Sequence, residues 1–294
     1  MLEAFKIGHW TDEEIGTGVT AIICERGATG GVSVMGGAPA TRETDLLKNG
    51  KTVDTVNAVV LSGGSAFGLE ASSGVMEYLF ERGFGYNAGG YRVPIVVAAS
   101  LYDLEYKKFG YPDKKAGYAA AAAAKTDNFV SGNIGAGTGA TVGKTLGMAH
   151  SMKGGLGSRA FISEDGVEIA FVVAVNALGD IVDNGERIAS VHIGKKLLSG
   201  KFLFDKFAPK KYKHSNTTIG CLITNAKLTK AQCNELAEAA NQGYKKVISP
   251  CNTAFDGDAI FALASGELKA DFDALKALAP DIVAQGVLAA IPKQ

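Results

Sequence analysis

Only four of the residues are cysteine, four are histidine and one is tryptophan. The cysteines (Cys24, Cys221, Cys233 and Cys251) are scattered and contain no Cys-x-x-Cys pair. That spacing suits neither a zinc site nor a disulfide framework, and it fits a reducing cytoplasm. Net charge is missing too, since 30 Lys and Arg balance 30 Asp and Glu. A nucleic acid or an anionic membrane would favour a basic excess, so neither is expected as the main partner. No apolar run approaches the roughly 20 residues of a membrane span. The blandest tract, Ala119 to Ala124, is short and weakly apolar. The N-terminus, Met1-Leu-Glu-Ala-Phe-Lys6, lacks the basic and long apolar regions of a signal peptide.

Glycine is what the chain has in excess: 38 of 294 residues, about twice the usual share of roughly 7%. Many tight turns or close backbone approaches follow. The length suits one large domain or two small ones, and no clean boundary divides it. Val19–Cys24 and Gly30–Met35 read as a hairpin, followed by an aperiodic loop over Gly36–Asp45. Val56–Leu61 reads as a strand running through Ser62-Gly-Gly-Ser65 into a helix that continues to Arg82 and stops at Gly83. Lys114–Lys125 is alanine-rich and helical by propensity. Val167–Asn176 and Asp180–Val182 read as strands joined by a tight turn at Leu178-Gly179. Thr218–Thr224 is a β-branched strand, after which Thr229 caps a helix with apolar positions Cys233, Leu236, Ala237, Ala240 and Tyr244. Two short helices interrupted by Pro280 end the chain, and Leu198–Ser215, rich in lysine and aromatics, reads as a linker. Interleaved strands and helices place the fold in the layered α/β (α+β) class.

Several familiar motifs fail by one residue. Gly135 to Thr145 looks like a phosphate loop, but Thr138 stands where G-x-x-x-x-G-K-[ST] needs its first glycine. The dinucleotide fingerprint fails because Ala140 follows Gly135 and Gly137 in place of the third glycine. Ser65 sits on a strand–turn–helix, yet Gly63-Gly-Ser-Ala-Phe67 lacks the second glycine of a nucleophile elbow. His9, His150, His192 and His214 show no pattern that would serve a Ser-His-Asp enzyme.

A set of segments in one order does hold together: Ser131-Gly-Asn-Ile-Gly-Ala-Gly-Thr-Gly-Ala-Thr-Val-Gly-Lys144, Val173-Ala-Val-Asn-Ala-Leu-Gly-Asp180, Asn216-Thr-Thr-Ile-Gly-Cys-Leu-Ile-Thr-Asn-Ala226 and Phe255-Asp-Gly-Asp-Ala-Ile-Phe-Ala-Leu-Ala264. With Gly36–Leu46 and Leu61–Leu69 upstream, they resemble the DmpA family of L-aminopeptidase/D-esterases, which includes the NylC nylon-oligomer hydrolases and the β-peptidyl aminopeptidases. The resemblance runs over about Gly18 to Gly266. It implies an αββα four-layer sandwich of the DmpA and ornithine acetyltransferase type, with no cofactor and no metal. It also implies self-cleavage into two chains that stay associated, and assembly into a homo-oligomer, a tetramer or larger.

Carried over residue by residue, the family nucleophile falls on Thr217. The cut falls between Asn216 and Thr217, giving a large chain 1–216 and a small chain 217–294. On local grounds Asn216-Thr-Thr is only a strand entry, and as a glycosylation sequon it lacks a secretion signal. The chemistry fits the nucleophile reading. An internal threonine hydroxyl needs a base, and cleavage would free an α-amine of pKa about 8 on the same residue. The family's oxyanion donor matches Asn176, its acidic pair matches Asp256 and Asp258, and the lysine of the nylon-hydrolase branch matches Lys144. Tyr102 falls where some members carry a tyrosine in the oxyanion pocket. Two residues apart on a strand, the carboxylates would share a face and hold the Thr217 ammonium. The implied activity is hydrolysis of small peptides, β-peptides or ω-amino-acid oligomers. Acyl transfer of the ornithine acetyltransferase type is the alternative chemistry, and a non-catalytic scaffold of the same fold would leave the chain intact.

Overall fold

A computed structural model of the chain describes residues 1–207 and 216–292. Nine strands among them form one continuous hydrogen-bonded sheet. They are β1 (Lys6–Asp12), β2 (Thr17–Val34), β3 (Thr41–Arg42), β4 (Thr55–Ser62), β5 (Val96–Ser100), β6 (Gly155–Ile162), β7 (Glu168–Asn176), β8 (Thr217–Ala226) and β9 (Ala259–Leu268). The strand order is β6-β7-β8-β9-β2-β4-β5-β3, with β1 also paired to β2. Helices α1 (Ala71–Glu81), α2 (Lys114–Ala122), α3 (Lys230–Val247) and α4 (Phe272–Ala289) cover its faces.

The path is continuous because β2 belongs to both halves. Residues 17–23 pair with β1 and β4, and residues 29–34 pair with β9. The hairpin expected over Val19–Met35 is therefore one bent strand. The register on β4 shifts between Ile23 and Ala28, and Gly27, at φ 85°, supplies a bulge where a reversal was expected.

Side-chain alternation then sorts the halves into layers. On β7, Ile169, Phe171, Val173 and Val175 pack with Leu236 and Tyr244 of α3 and with Val283 and Val287 of α4. Ala170, Val172 and Ala174 point the other way, into a cluster shared with Ile22, Val59, Leu61 and Val97. The far side of β2 and β4, through Ala21, Ile23, Ala58 and Val60, packs on Val75 and Leu79 of α1 and on Ala116 and Ala120 of α2. Helices, sheet, sheet, helices: the αββα sandwich is present. Each large aliphatic side chain buried in these three cores contributes about 1.5–3 kcal/mol.

Four local expectations are corrected. Asp180–Asp183 does not pair with β7, whose two edges are already taken by β6 and β8; it joins Glu186–Ala189 and Ile248–Ser249 in a separate sheet. The helix expected from Ser65 to Arg82 is two pieces, Ser65–Gly68 and α1, and tight bonds from Leu69 N–H to Ala66 and from Glu70 N–H to Phe67 mark the break. Pro280 lies inside α4 and does not divide it. It removes one helical N–H, but Leu275, Ala279, Val283 and Val287 keep one buried stripe across it, and that burial outweighs one hydrogen bond. In the expected linker, Gly200–Phe207 is helical, while 208–215 lie outside the described residues. Asp180 accepts the Gly200 N–H at 2.8 Å and Lys201 pairs with Asp205 one turn on, which stabilises a helix that composition alone conceals. No described helix is long and apolar enough to cross a membrane.

Candidate active site

Thr217 opens β8, and the antiparallel register sets it opposite Asn176, the last residue of β7. By alternation Thr217 shares a face with Ile219, Cys221 and Ile223, and Asn176 shares one with Ala174 and Val172; both faces look into the space between the sheet halves. The expected nucleophile and oxyanion donor are thus cross-strand neighbours, whose Cβ atoms in such pairs sit about 4.5–5.5 Å apart. Both are buried.

Asn176 is held from three sides. Its Oδ1 accepts from Lys144 Nζ at 2.8 Å and from Thr141 N–H at 3.0 Å. Its Nδ2 donates to the Tyr102 carbonyl at 2.9 Å, and the amide carries a second N–H to offer. Lys144 Nζ also donates to the Asn176 carbonyl at 2.8 Å. Burial pushes the Lys144 ammonium down to about 7, against the opposing pull of Asp256, Asp103, Asp258 and Glu105. Near neutral pH this amine exchanges between cation and base.

The acidic pair lies in the loop just ahead of β9, which begins at Ala259. Loop geometry, and not strand alternation, places the two carboxylates. Asp258 accepts the Thr218 N–H at 2.6 Å and the Asn252 N–H at 2.9 Å, while Asp256 accepts the Thr253 N–H at 2.8 Å. Burial raises both above the usual carboxylate range, and Asp256 raises Asp258 further. The same loop clamps the bond between Asn216 and Thr217. Asn216 N–H donates to the Phe255 carbonyl at 3.1 Å, and its own carbonyl accepts the Gly257 N–H at 2.7 Å. That carbonyl also accepts the Thr217 hydroxyl at 2.5 Å. A Cβ at Gly257 would stand 2.9 Å from Thr217 Oγ1, so only glycine lets the loop come this close.

Thr217, Asn216, Asn176, Lys144, Asp256 and Asp258 are therefore brought together. Tyr102 joins them through its carbonyl; its hydroxyl donates to Glu105 at 3.2 Å. Sequence reasoning missed Thr141, the Gly257 N–H and Asp103, the residue after Tyr102. Their roles are not readable locally, even where they stand inside a quoted motif, because their partners lie on distant segments. Competing nucleophiles lack support. Burial pushes the thiols up, Cys24 to about 11 and Cys251 to about 12, so they stay protonated. His9 is bonded to Thr20 and His150 to the His192 carbonyl, away from Ser65. Among the described residues no cluster of three or more His, Cys, Asp or Glu could hold a metal ion.

A family model described as peptidase family S58 matches residues 2–292. The chain belongs to peptidase family S58. An uncharacterised aminopeptidase of Mycobacterium leprae is 36% identical over 297 residues, covering 92% of this chain and 78% of that protein. The 6-aminohexanoate-oligomer endohydrolase of Paenarthrobacter ureafaciens is 30% identical over 271 residues, covering 90% and 73%. Among solved structures, the L-aminopeptidase D-Ala-esterase/amidase of Ochrobactrum anthropi, described as a variant of the Ntn-hydrolase fold, superposes with a TM-score of 0.73 at 18% identity, covering 98% of this chain and 83% of that one. A Burkholderia β-aminopeptidase gives 0.69 at 18% identity, covering 98% and 84%. As an S58 member the chain is a peptide or amide hydrolase, and the resemblance read from its motifs is borne out.

Proposed function

We propose that this S58 hydrolase cuts its own Asn216–Thr217 bond and then uses Thr217 to hydrolyse amides of small peptides, β-peptides or ω-amino-acid oligomers. The observation that carries the proposal is the Thr217 hydroxyl 2.5 Å from the Asn216 carbonyl oxygen, which the Gly257 N–H also holds at 2.7 Å. Attack of Oγ1 on the Asn216 carbonyl carbon moves the acyl group from nitrogen to oxygen. The Gly257 N–H faces the oxygen on which negative charge develops. The hydroxyl proton ends on the departing Thr217 nitrogen, and water hydrolyses the resulting ester. The products are an Asn216 carboxylate and a Thr217 with free amine and free hydroxyl.

In turnover the new α-amine, of pKa about 8, takes the Thr217 hydroxyl proton as Oγ1 attacks the substrate carbonyl. The free Asn176 N–H and Lys144 stabilise the oxyanion, and Asp256 and Asp258 balance the ammonium. The substrate amine leaves with the proton, and water releases the acyl group from Thr217. The names of two relatives, an aminopeptidase and a 6-aminohexanoate-oligomer endohydrolase, support the peptide and ω-amino-acid-oligomer classes. Incubation with aminoacyl anilides and 6-aminohexanoate oligomers tests the reading. It expects amine release and an acyl adduct on the Thr217 peptide, both absent in Thr217→Ala. A Thr217→Ala protein that turns over at the wild-type rate would sink it.

A further inference from the structure

Asp103 is only 4% exposed, and three separate segments close around it. Its Oδ1 accepts the Gly64 N–H at 2.7 Å, and its Oδ2 accepts the Thr17 hydroxyl at 2.8 Å. A Cβ at Gly63 would stand 2.0 Å from Oδ2, and one at Gly139 would stand 2.5 Å from it. Glycine is required on both sides to admit this carboxylate. The extended segment that leads to it is pinned at its start as well: Leu101 N–H donates to the Ser62 carbonyl, and the Leu101 carbonyl accepts the Ser65 N–H, both at 2.8 Å. Between those anchors lies Tyr102, whose carbonyl takes the Asn176 amide.

We propose that Asp103 is a positioning residue for the hydrolysis: its carboxylate locks the Leu101–Asp103 segment so that the Tyr102 carbonyl aims the Asn176 amide, and its charge supports the ammonium groups of Lys144 and Lys153. The inference rests on reading Asn176 and Lys144 as parts of the active site. Lys153 belongs to the same assembly. Its Nζ donates to the Gly137 and Ala140 carbonyls at 2.8 and 2.9 Å, just before the Thr141 N–H that holds Asn176 Oδ1. The charged groups acting on Lys144 are Asp256, Asp103, Asp258 and Glu105; those acting on Lys153 are Asp103 and Lys107. Asp103 is the anion common to both.

Asp103→Asn is nearly isosteric and removes the charge. Asn Oδ1 still accepts from Gly64, and the Thr17 hydroxyl can turn to accept from Asn Nδ2. Because both hydrogen bonds are kept, the variant reads the lost charge: the expected result is a kcat lowered about 10-fold near neutral pH with KM little changed, as less of Lys144 remains an ammonium. The limb of the pH–rate profile near 7 should also move to lower pH, because loss of an anion favours the neutral amine. Asp103→Glu should not rescue, since the walls at Gly63 and Gly139 leave no room for another methylene. Asp103→Asn with wild-type kcat and an unmoved limb overturns the inference. Lys144→Met in the same series separates the two failures. If it keeps wild-type activity, the site reading itself falls. If it is inactive while Asp103→Asn behaves as wild type, only the role of Asp103 falls.

Discussion

Asn176 carries more of the proposed chemistry than any other side chain except Thr217, and its three partners keep its amide from rotating. Truncation to alanine removes the proposed oxyanion donor and takes the acceptor Oδ1 from the buried Lys144. Steady-state kinetics of Asn176→Ala should show kcat lowered about 10²–10³-fold. Asp103 makes a separate prediction, about stability. Burial raises its carboxyl from 3.8 to about 6, so between those values the folded chain binds more protons than the unfolded one. The group's contribution to stability therefore falls as pH rises through that window, and the cost is fully expressed above about 6. Asn carries no such cost. The melting temperature of Asp103→Asn relative to wild type should rise between about pH 4 and pH 7, even as activity is lost; a difference that stays flat or falls would contradict this. At this scale Thr217, Asn176, Asp256 and Asp258 were legible because each stands in a segment with its own family pattern. Asp103 was not legible, since its significance comes from Thr17, Gly64 and Gly139, which only the fold brings near.

Elements were legible where their cause is local and misread where it is not. Thr229 caps α3 as expected, and Gln232 completes a capping box with it, because both halves of the signal lie within one turn. The bend of β2 was read as a hairpin because Gly27 looks like a turn, while the β9 partner that keeps the chain extended is more than two hundred residues away. Pro280 was read as a break because its packing on α3 is tertiary. That contact is close: a Cβ at Gly243 would stand 2.5 Å from the Pro280 carbonyl oxygen and 2.6 Å from Val283 Cβ. Gly243→Ala gains helix propensity of about 1 kcal/mol but overpacks this crossing at a cost of about 1–3 kcal/mol. Scanning calorimetry should find it destabilised or at best neutral, and a clear rise in melting temperature would show that the helices can separate without penalty.

For the whole molecule, the position of the Asn216–Thr217 bond decides what a cut would do. β8 lies between β7 and β9, and β9 lies between β8 and β2. Both strands that a 217–294 piece gives to this sheet are thus interior to it, and each has a neighbour from the 1–216 piece. Cleavage would sever one peptide bond and leave the ladders and the three cores in place. The two pieces should co-elute under native conditions, melt in one transition and separate only in denaturant. Dissociation on simple dilution would contradict that placement. The layered architecture was legible from interleaved strands and helices together with the family pattern, but its division into three cores was not, because it depends on which face of each strand meets which layer. Intact-mass analysis of the purified chain goes most directly to the proposed self-processing nucleophile. The expected spectrum contains 1–216 and 217–294, with Thr217→Ala remaining whole and inactive. A single uncut species with full amidase activity would contradict it.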